Sequence, residues 1–140
     1  MAMLKRILAP TDFSELSAKG VRYASQLAKE LGSELIVMNI VPLDESNFVS
    51  KREIDQHKRE LDEFLVNRDV KPDLNLRKLV EPGLPSGAII SFAERENCDL
   101  IVMSSHGRSG LSRLLVGSVT EQILRKSPCL VLVVPLDRPE

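Results

Sequence analysis

The sequence predicts one doubly wound α/β sandwich, a parallel sheet of five strands with helices on both faces. Three observations lead there. Nearly continuous apolar runs at Glu34–Val41, Asp99–Ser104 and Leu130–Val134 read as strands covered on both faces. Segments between the runs carry apolar residues at spacings of three and four, the helical period. Strands alternating with helices imply parallel pairing through right-handed crossovers. The length of 140 residues suits a single domain, residues 1–140. With aromatics at 4% and no Trp, the core must be built from Val, Ile, Leu and Ala.

Leu4 to Ala9 reads as a short buried strand closed by Pro10-Thr11-Asp12. Ser14 with Ser17 opens a helix whose inner face is Leu16, Gly20, Val21, Ala24, Leu27, Ala28 and Leu31, and Gly32 stops it. The second strand, Glu34 to Val41, ends at Pro42, and a polar loop follows from Asp44 to Ser50. From Lys51 to Asn67 the residues Ile54, Leu61, Phe64 and Leu65 form a narrow stripe on a highly charged helix. Leu74 to Val80 is the third strand, and its partial alternation suggests a sheet edge. Pro82-Gly83-Leu84-Pro85 turns into a helix, Ser86 to Asn97, with Ile89, Ile90, Phe92 and Ala93 inward. The fourth strand, Asp99 to Ser104, leads through a Gly- and Ser-rich stretch into a last helix ending near Lys126. The fifth strand is Leu130 to Val134.

Composition excludes several functions. Nineteen basic against 20 acidic residues give a net charge of −1, without the basic excess that nucleic acid or an anionic membrane surface calls for. Scarce aromatics also disfavour base-stacking platforms. No apolar run approaches the roughly 18 residues of a membrane span, and no signal peptide fits the N-terminus. Cys98 and Cys129 form neither a CxxC pair nor a disulfide framework and read as two buried thiols. The expected location is the cytoplasm.

In an open α/β sheet, ligands bind outside the carboxyl ends of the strands, where strand order reverses. That directs attention to the turns Pro10-Thr11-Asp12, Asn39-Ile40-Val41 and Ser104 onward. In the last of these, Gly107 and Gly110 allow close backbone approach, and His106, Arg108 and Arg113 add positive charge. Gly117-Ser118-Val119-Thr120-Glu121 reads as a helix start with Ser118 as N-cap and Glu121 completing a capping box. Its free N–H groups and dipole, with the Ser118 and Thr120 hydroxyls as further donors, suit an anion. An ordinary capped helix behind a glycine-rich loop fits the same pattern. The chain has no GxxxxGK[ST] and no GxGxxG after the first strand. Asp12 lacks the acidic companions of a phosphoacceptor; it suits either a ligand contact or an Asx-turn cap of the first helix. Arg52, Lys58 and Arg59 read as a solvated helix face, and His57 lies on the same charged helix. Neither histidine has neighbours at metal-ligand spacing. No catalytic residue emerges, because no triad, paired carboxylates or general base stands near the loop.

Ser104-Ser105-His106-Gly107, the stretch Arg108 to Val116, and Gly117-Ser118 resemble the nucleotide-binding signature Gly-x2-Gly-x9-Gly-[Ser/Thr] of universal stress proteins. The likeness extends over essentially the whole chain. It includes Ile7-Leu8-Ala9-Pro10-Thr11-Asp12-Phe13-Ser14, Asp99-Leu100-Ile101-Val102-Met103, and Ser127-Pro128-Cys129 through Pro135. The resemblance implies a Rossmann-like, adenine nucleotide alpha hydrolase-like sheet of order 3-2-1-4-5. It implies ATP as ligand, with AMP or ADP as alternatives and Mg²⁺ as companion ion. Adenine and ribose would then lie along Pro10, Thr11, Asp12 and the backbone of Ile40. Ribose and phosphates would follow Met103, Ser104, His106, Gly107 and Arg108 and rest on Gly117, Ser118, Val119 and Thr120.

Ser104 departs from the signature glycine: at positive φ serine costs on the order of 1 kcal/mol, whereas a position needing only a small side chain accepts it. The resemblance also implies a homodimer through Leu130–Val134, an apolar strand at the sheet edge. The expected function is a dimeric, ATP-binding stress-response regulator with no dedicated turnover beyond slow incidental ATP hydrolysis; an enzyme acting on adenine nucleotides is a weaker third reading. The alternative is a stress-related dimeric interaction module that binds no nucleotide.

Overall fold

The computed structural model describes residues 3–70, 75–105 and 116–135. Five strands and four helices alternate through them: β1 (Arg6–Pro10), α1 (Glu15–Leu31), β2 (Glu34–Pro42), α2 (Lys51–Asn67), β3 (Leu76–Gly83), α3 (Pro85–Arg95), β4 (Leu100–Ser104), α4 (Ser118–Lys126) and β5 (Leu130–Val134). All neighbouring strands pair in parallel, in the order β3-β2-β1-β4-β5. The aliphatic runs are the strands, as the sequence predicts, and their alternate residues feed two cores. Ile7, Ala9, Leu35, Val37, Val41 and Val102 pack with Val21, Ala24, Leu61 and Phe64 of α1 and α2. Leu8, Ile36, Met38, Ile40, Ile101 and Met103 face the other way, onto Ile89, Phe92 and Ile123 of α3 and α4.

Local chemistry fixes the element ends. Ser14 caps α1 by accepting from the Ser17 N–H, and Gly32 closes it at φ +69°, a left-handed conformation that glycine adopts without penalty. Ser50 and Glu53 form a reciprocal capping box on α2. Gly20 is required for another reason: a Cβ there would lie 2.9 Å from the Ser104 nitrogen, so α1 touches the β4 backbone directly.

Several boundaries differ from expectation. β1 begins at Arg6 rather than Leu4, because the Asp99 carboxylate takes the Lys5 and Arg6 N–H groups at 2.8 and 3.0 Å. It also runs one residue further, with Pro10 opposite Met38. β3 continues through Pro82 and Gly83 instead of turning there, since an edge strand tolerates proline; Leu74 lies outside the described residues. α3 starts at Pro85, a favoured first helical position, and stops at Arg95, because Asn97 adopts φ +51°. Leu31 is exposed rather than part of the core, and Cys129 is only half-buried beside the buried Cys98.

Candidate ligand cleft at the strand ends

The strand order reverses between β1 and β4, and a cleft of about 290 Å³ opens above their carboxyl ends. Its volume is at the lower end of the range for small-molecule sites, about 300–1,000 Å³. Pro10, Thr11, Asp12 and Ile40 line one side. Met103, Ser104, Gly117, Ser118, Val119 and Thr120 line the other. The structure therefore brings together ten of the residues singled out in the sequence. His106, Gly107 and Arg108, with Gly110 and Arg113, lie outside the described residues.

Met38, Ile40 and Met103 project to this side because β2 and β4 alternate, and Ile89 of α3 packs behind them. They make an apolar slot. Sequence reasoning passed over Ser17, Met38, Pro42, Pro85 and Ile89, all of which line the cleft. The alternation partner of Ile40 would have given Met38. Pro85 and Ile89 enter because the β3–α3 turn opens at the same end of the sheet.

The β1–α1 turn is densely bonded. The Thr11 N–H donates to the Met38 carbonyl at 2.9 Å, and the Phe13 N–H donates to Thr11 Oγ1 at 3.0 Å. Thr11 Oγ1 and Ser17 Oγ lie 2.7 Å apart. Asp12 Oδ1 accepts from the Ser14 N–H at 3.0 Å, so Asp12 both forms an Asx turn and lines the cleft. Helix capping belongs to Ser14, so Asp12 is not the cap.

The start of α4 differs from the expected capping box. Gly117 is the N-cap, extended at φ −61° and ψ 154°, and Ser118 is already helical. No side chain among the described residues caps the helix. Glu121 donates its N–H to the Gly117 carbonyl, and its carboxylate pairs with Arg125 at 2.7 Å. A helix leaves its first N–H groups without intrahelical partners; here that end opens into the cleft. Thr120 donates its hydroxyl to the Ser104 carbonyl at 3.2 Å, so that proton is directed at β4 rather than outward. Ser118 is exposed at the mouth.

Ser104 ends β4 and is not among the residues at positive φ. Its side chain points to the α1 face, away from the slot. The hydroxyl donates to the Leu16 carbonyl and accepts from the Gly20 N–H at 3.0 Å. The departure from the signature glycine therefore costs no backbone strain. His57, on the charged helix α2, is half-buried and hydrogen-bonded to Asn39.

The site thus defines a class: a parallel α/β protein with a cleft at the strand-order reversal, floored by aliphatic and Met side chains and flanked by an uncapped helix N-terminus. The chain belongs to the Universal stress protein family, whose profile matches residues 3–135. Universal stress protein MJ0531 of Methanocaldococcus jannaschii is 33% identical, over 99% of this chain and 86% of that protein. The solved universal stress protein UspA of Lactobacillus plantarum shares the fold with a TM-score of 0.79 at 22% identity, over 94% of this chain and 97% of that one. The Archaeoglobus fulgidus universal stress protein, solved in complex with dAMP, superposes with a TM-score of 0.69 at 18% identity, over 95% of this chain and 98% of that one. No helix among the described residues is long and apolar enough to cross a membrane. Nor do those residues include a group of three or more His, Cys, Asp or Glu suited to a metal ion.

Proposed function

We propose that residues 1–140 act as one universal stress protein domain that binds an adenine nucleotide, ATP or its AMP and ADP relatives, in this cleft. The observation that carries the reading is the uncapped N-terminus of α4 opening beside an apolar slot. The slot of Met38, Ile40, Met103 and Val119 suits a flat purine, and Asp12 and Thr11 at its rim suit ribose hydroxyls. The phosphates fall to Gly117, Ser118, Val119 and Thr120, where backbone N–H groups and the helix dipole favour negative charge. His106, Gly107 and Arg108 complete the phosphate side in the same reading, and Mg²⁺ accompanies ATP as its counter-ion. Kinship with a fold solved in complex with dAMP is compatible with this ligand class. Among the described residues the cleft holds no evident pairing of a base with a nucleophile, and we read the role as that of a cytoplasmic, nucleotide-responsive regulator of the stress response rather than a dedicated ATPase.

The same reading includes a homodimer through β5. This edge strand is Leu130-Val131-Leu132-Val133-Val134, with Leu130 63% exposed, and such an edge invites pairing with a second chain. Light scattering after size exclusion reports it directly: a monomer mass at all concentrations removes the dimer.

The deciding experiment extracts nucleotide from the denatured purified protein and titrates the ligand-free protein calorimetrically with ATP and AMP. Bound adenine nucleotide or saturable heat is expected. Neither, at millimolar ATP, leaves the interaction-module reading in its place.

A further inference from the structure

Asn39 interrupts the apolar run of β2, and its side chain is 2% exposed. A buried amide needs partners, and Asn39 has two. Its Nδ2 donates to the Thr11 carbonyl at 2.9 Å, and its Oδ1 lies 2.8 Å from His57 Nδ1 on α2. Because Oδ1 carries no hydrogen, His57 Nδ1 holds the proton and donates. The Thr11 carbonyl belongs to the peptide that leads into Asp12. One residue on, Phe13 sits at φ +68°, an unfavourable conformation for an aromatic residue that its surroundings must enforce. The rings of His57 and Phe64 each lie 5.9 Å from the Phe13 ring. His57 therefore engages both ends of the turn, by hydrogen bonding through Asn39 and by packing on Phe13. All of this happens on the α2 face of the sheet, opposite the slot of Met38 and Met103.

We propose that His57 is a positioning residue for the ligand cleft: without touching the ligand, it fixes through Asn39 and Phe13 the turn that presents Thr11 and Asp12. A turn held in its bound shape spares the ligand the cost of ordering it. The inference rests on the nucleotide-binding reading for its effect on affinity. The restraint of the turn stands independently of it.

The test titrates wild type, His57→Ala, His57→Asn and Leu61→Ala with ATP and AMP, alongside urea unfolding of each. His57→Ala is expected to weaken both nucleotides by about five- to tenfold, the loss of roughly one hydrogen bond. His57→Asn, which returns an amide N–H near the Nδ1 position, recovers most of that affinity. Leu61→Ala, a deeper truncation on the same helix, lowers the urea midpoint more yet leaves affinity within about twofold. Wild-type affinity in His57→Ala overturns the proposal. So does an equal loss in Leu61→Ala, or an asparagine variant no better than alanine.

Amide exchange on the ligand-free protein is the second arm. His57→Ala should speed exchange of the Thr11 and Phe13 N–H groups by about tenfold, and unchanged rates overturn the proposal. If His57→Ala does not fold, His57→Leu keeps the bulk against Phe13 without the donor and takes its place in both arms. If the wild type binds neither nucleotide, the ligand reading fails and the exchange arm alone decides.

Discussion

The two faces of the sheet use the same materials to different ends. On the α1/α2 face each helix caps itself, α1 through Ser14 and α2 through Ser50 with Glu53. On the α3/α4 face Leu84 and Gly117 occupy the N-cap positions and neither gives a side-chain bond. The first face is closed by close approach, with Gly20 against β4 and Phe13 wedged between His57 and Phe64. The second opens into a cleft. A helix end satisfied by its own chain is architecture, and one left open beside a cavity is available to a ligand.

Truncation should separate the faces most strongly. Leu61→Ala leaves a sealed hole in the closed face and should cost about 3 kcal/mol, read from urea unfolding. Ile89→Ala borders the cleft, where the hole joins existing solvent; we expect about 2 kcal/mol together with a measurable loss of nucleotide affinity. Equal costs and no affinity change would erase the distinction. Gly20→Ala tests the close approach: its new Cβ meets β4 backbone at 2.9 Å, and overpacking of this kind costs about 1–3 kcal/mol.

Making the open face resemble the closed one is a subtler intervention. Ser118→Asp places a carboxylate at the start of α4 and should stabilise the free protein by about 0.5 kcal/mol through the helix dipole. The same charge should weaken ATP binding about tenfold or more by repelling phosphate. Stability and affinity moving in the same direction would contradict the assignment of that helix end.

The last effect is confined to alkaline pH and concerns the far end of the sheet. Burial, and next to it the neighbouring Cys129 thiol, push the Cys98 thiol up to about 11 from 9.0. The unfolded chain ionises first, so this stabilising preference is complete below pH 9 and is lost as pH rises from about 9 to about 11. Cys98→Ala should flatten that alkaline decline in the urea midpoint, and an unaltered decline would remove Cys98 as its cause.

Most of the fold was legible because its signals are local. The run Glu34 to Val41 needs no tertiary information to read as a doubly covered strand, and Lys51 to Asn67 is a helix with the predicted bounds. The β3 boundary was not legible, since Pro82 is compatible with a strand only at an edge, and edge status depends on the whole sheet. The α4 cap was misplaced by one residue because Ser118 has the chemistry of a cap while Gly117 has the conformation. At the cleft, ten residues named from the strand-end turns line the wall, while His106, Gly107 and Arg108 lie outside the described residues. Met38, Pro85 and His57 escaped because each contributes across elements distant in the chain. For His57 the charged surroundings on α2 carry no sign of a partner, and only the docking of α2 onto β2 reveals Asn39.

Ser104 bears on how signatures of this kind are used. Ser104 lines the cleft, yet its hydroxyl is bonded to α1, at the Leu16 carbonyl and the Gly20 N–H. Pattern matching that insists on glycine at the first position would discard this chain on account of a hydroxyl that α1 holds. The constraint that the geometry does impose sits elsewhere, at residue 20, where backbone meets backbone. A search filter built on which way each residue faces, rather than on its letter, would keep the chain and relocate the indispensable glycine to a helix outside the signature.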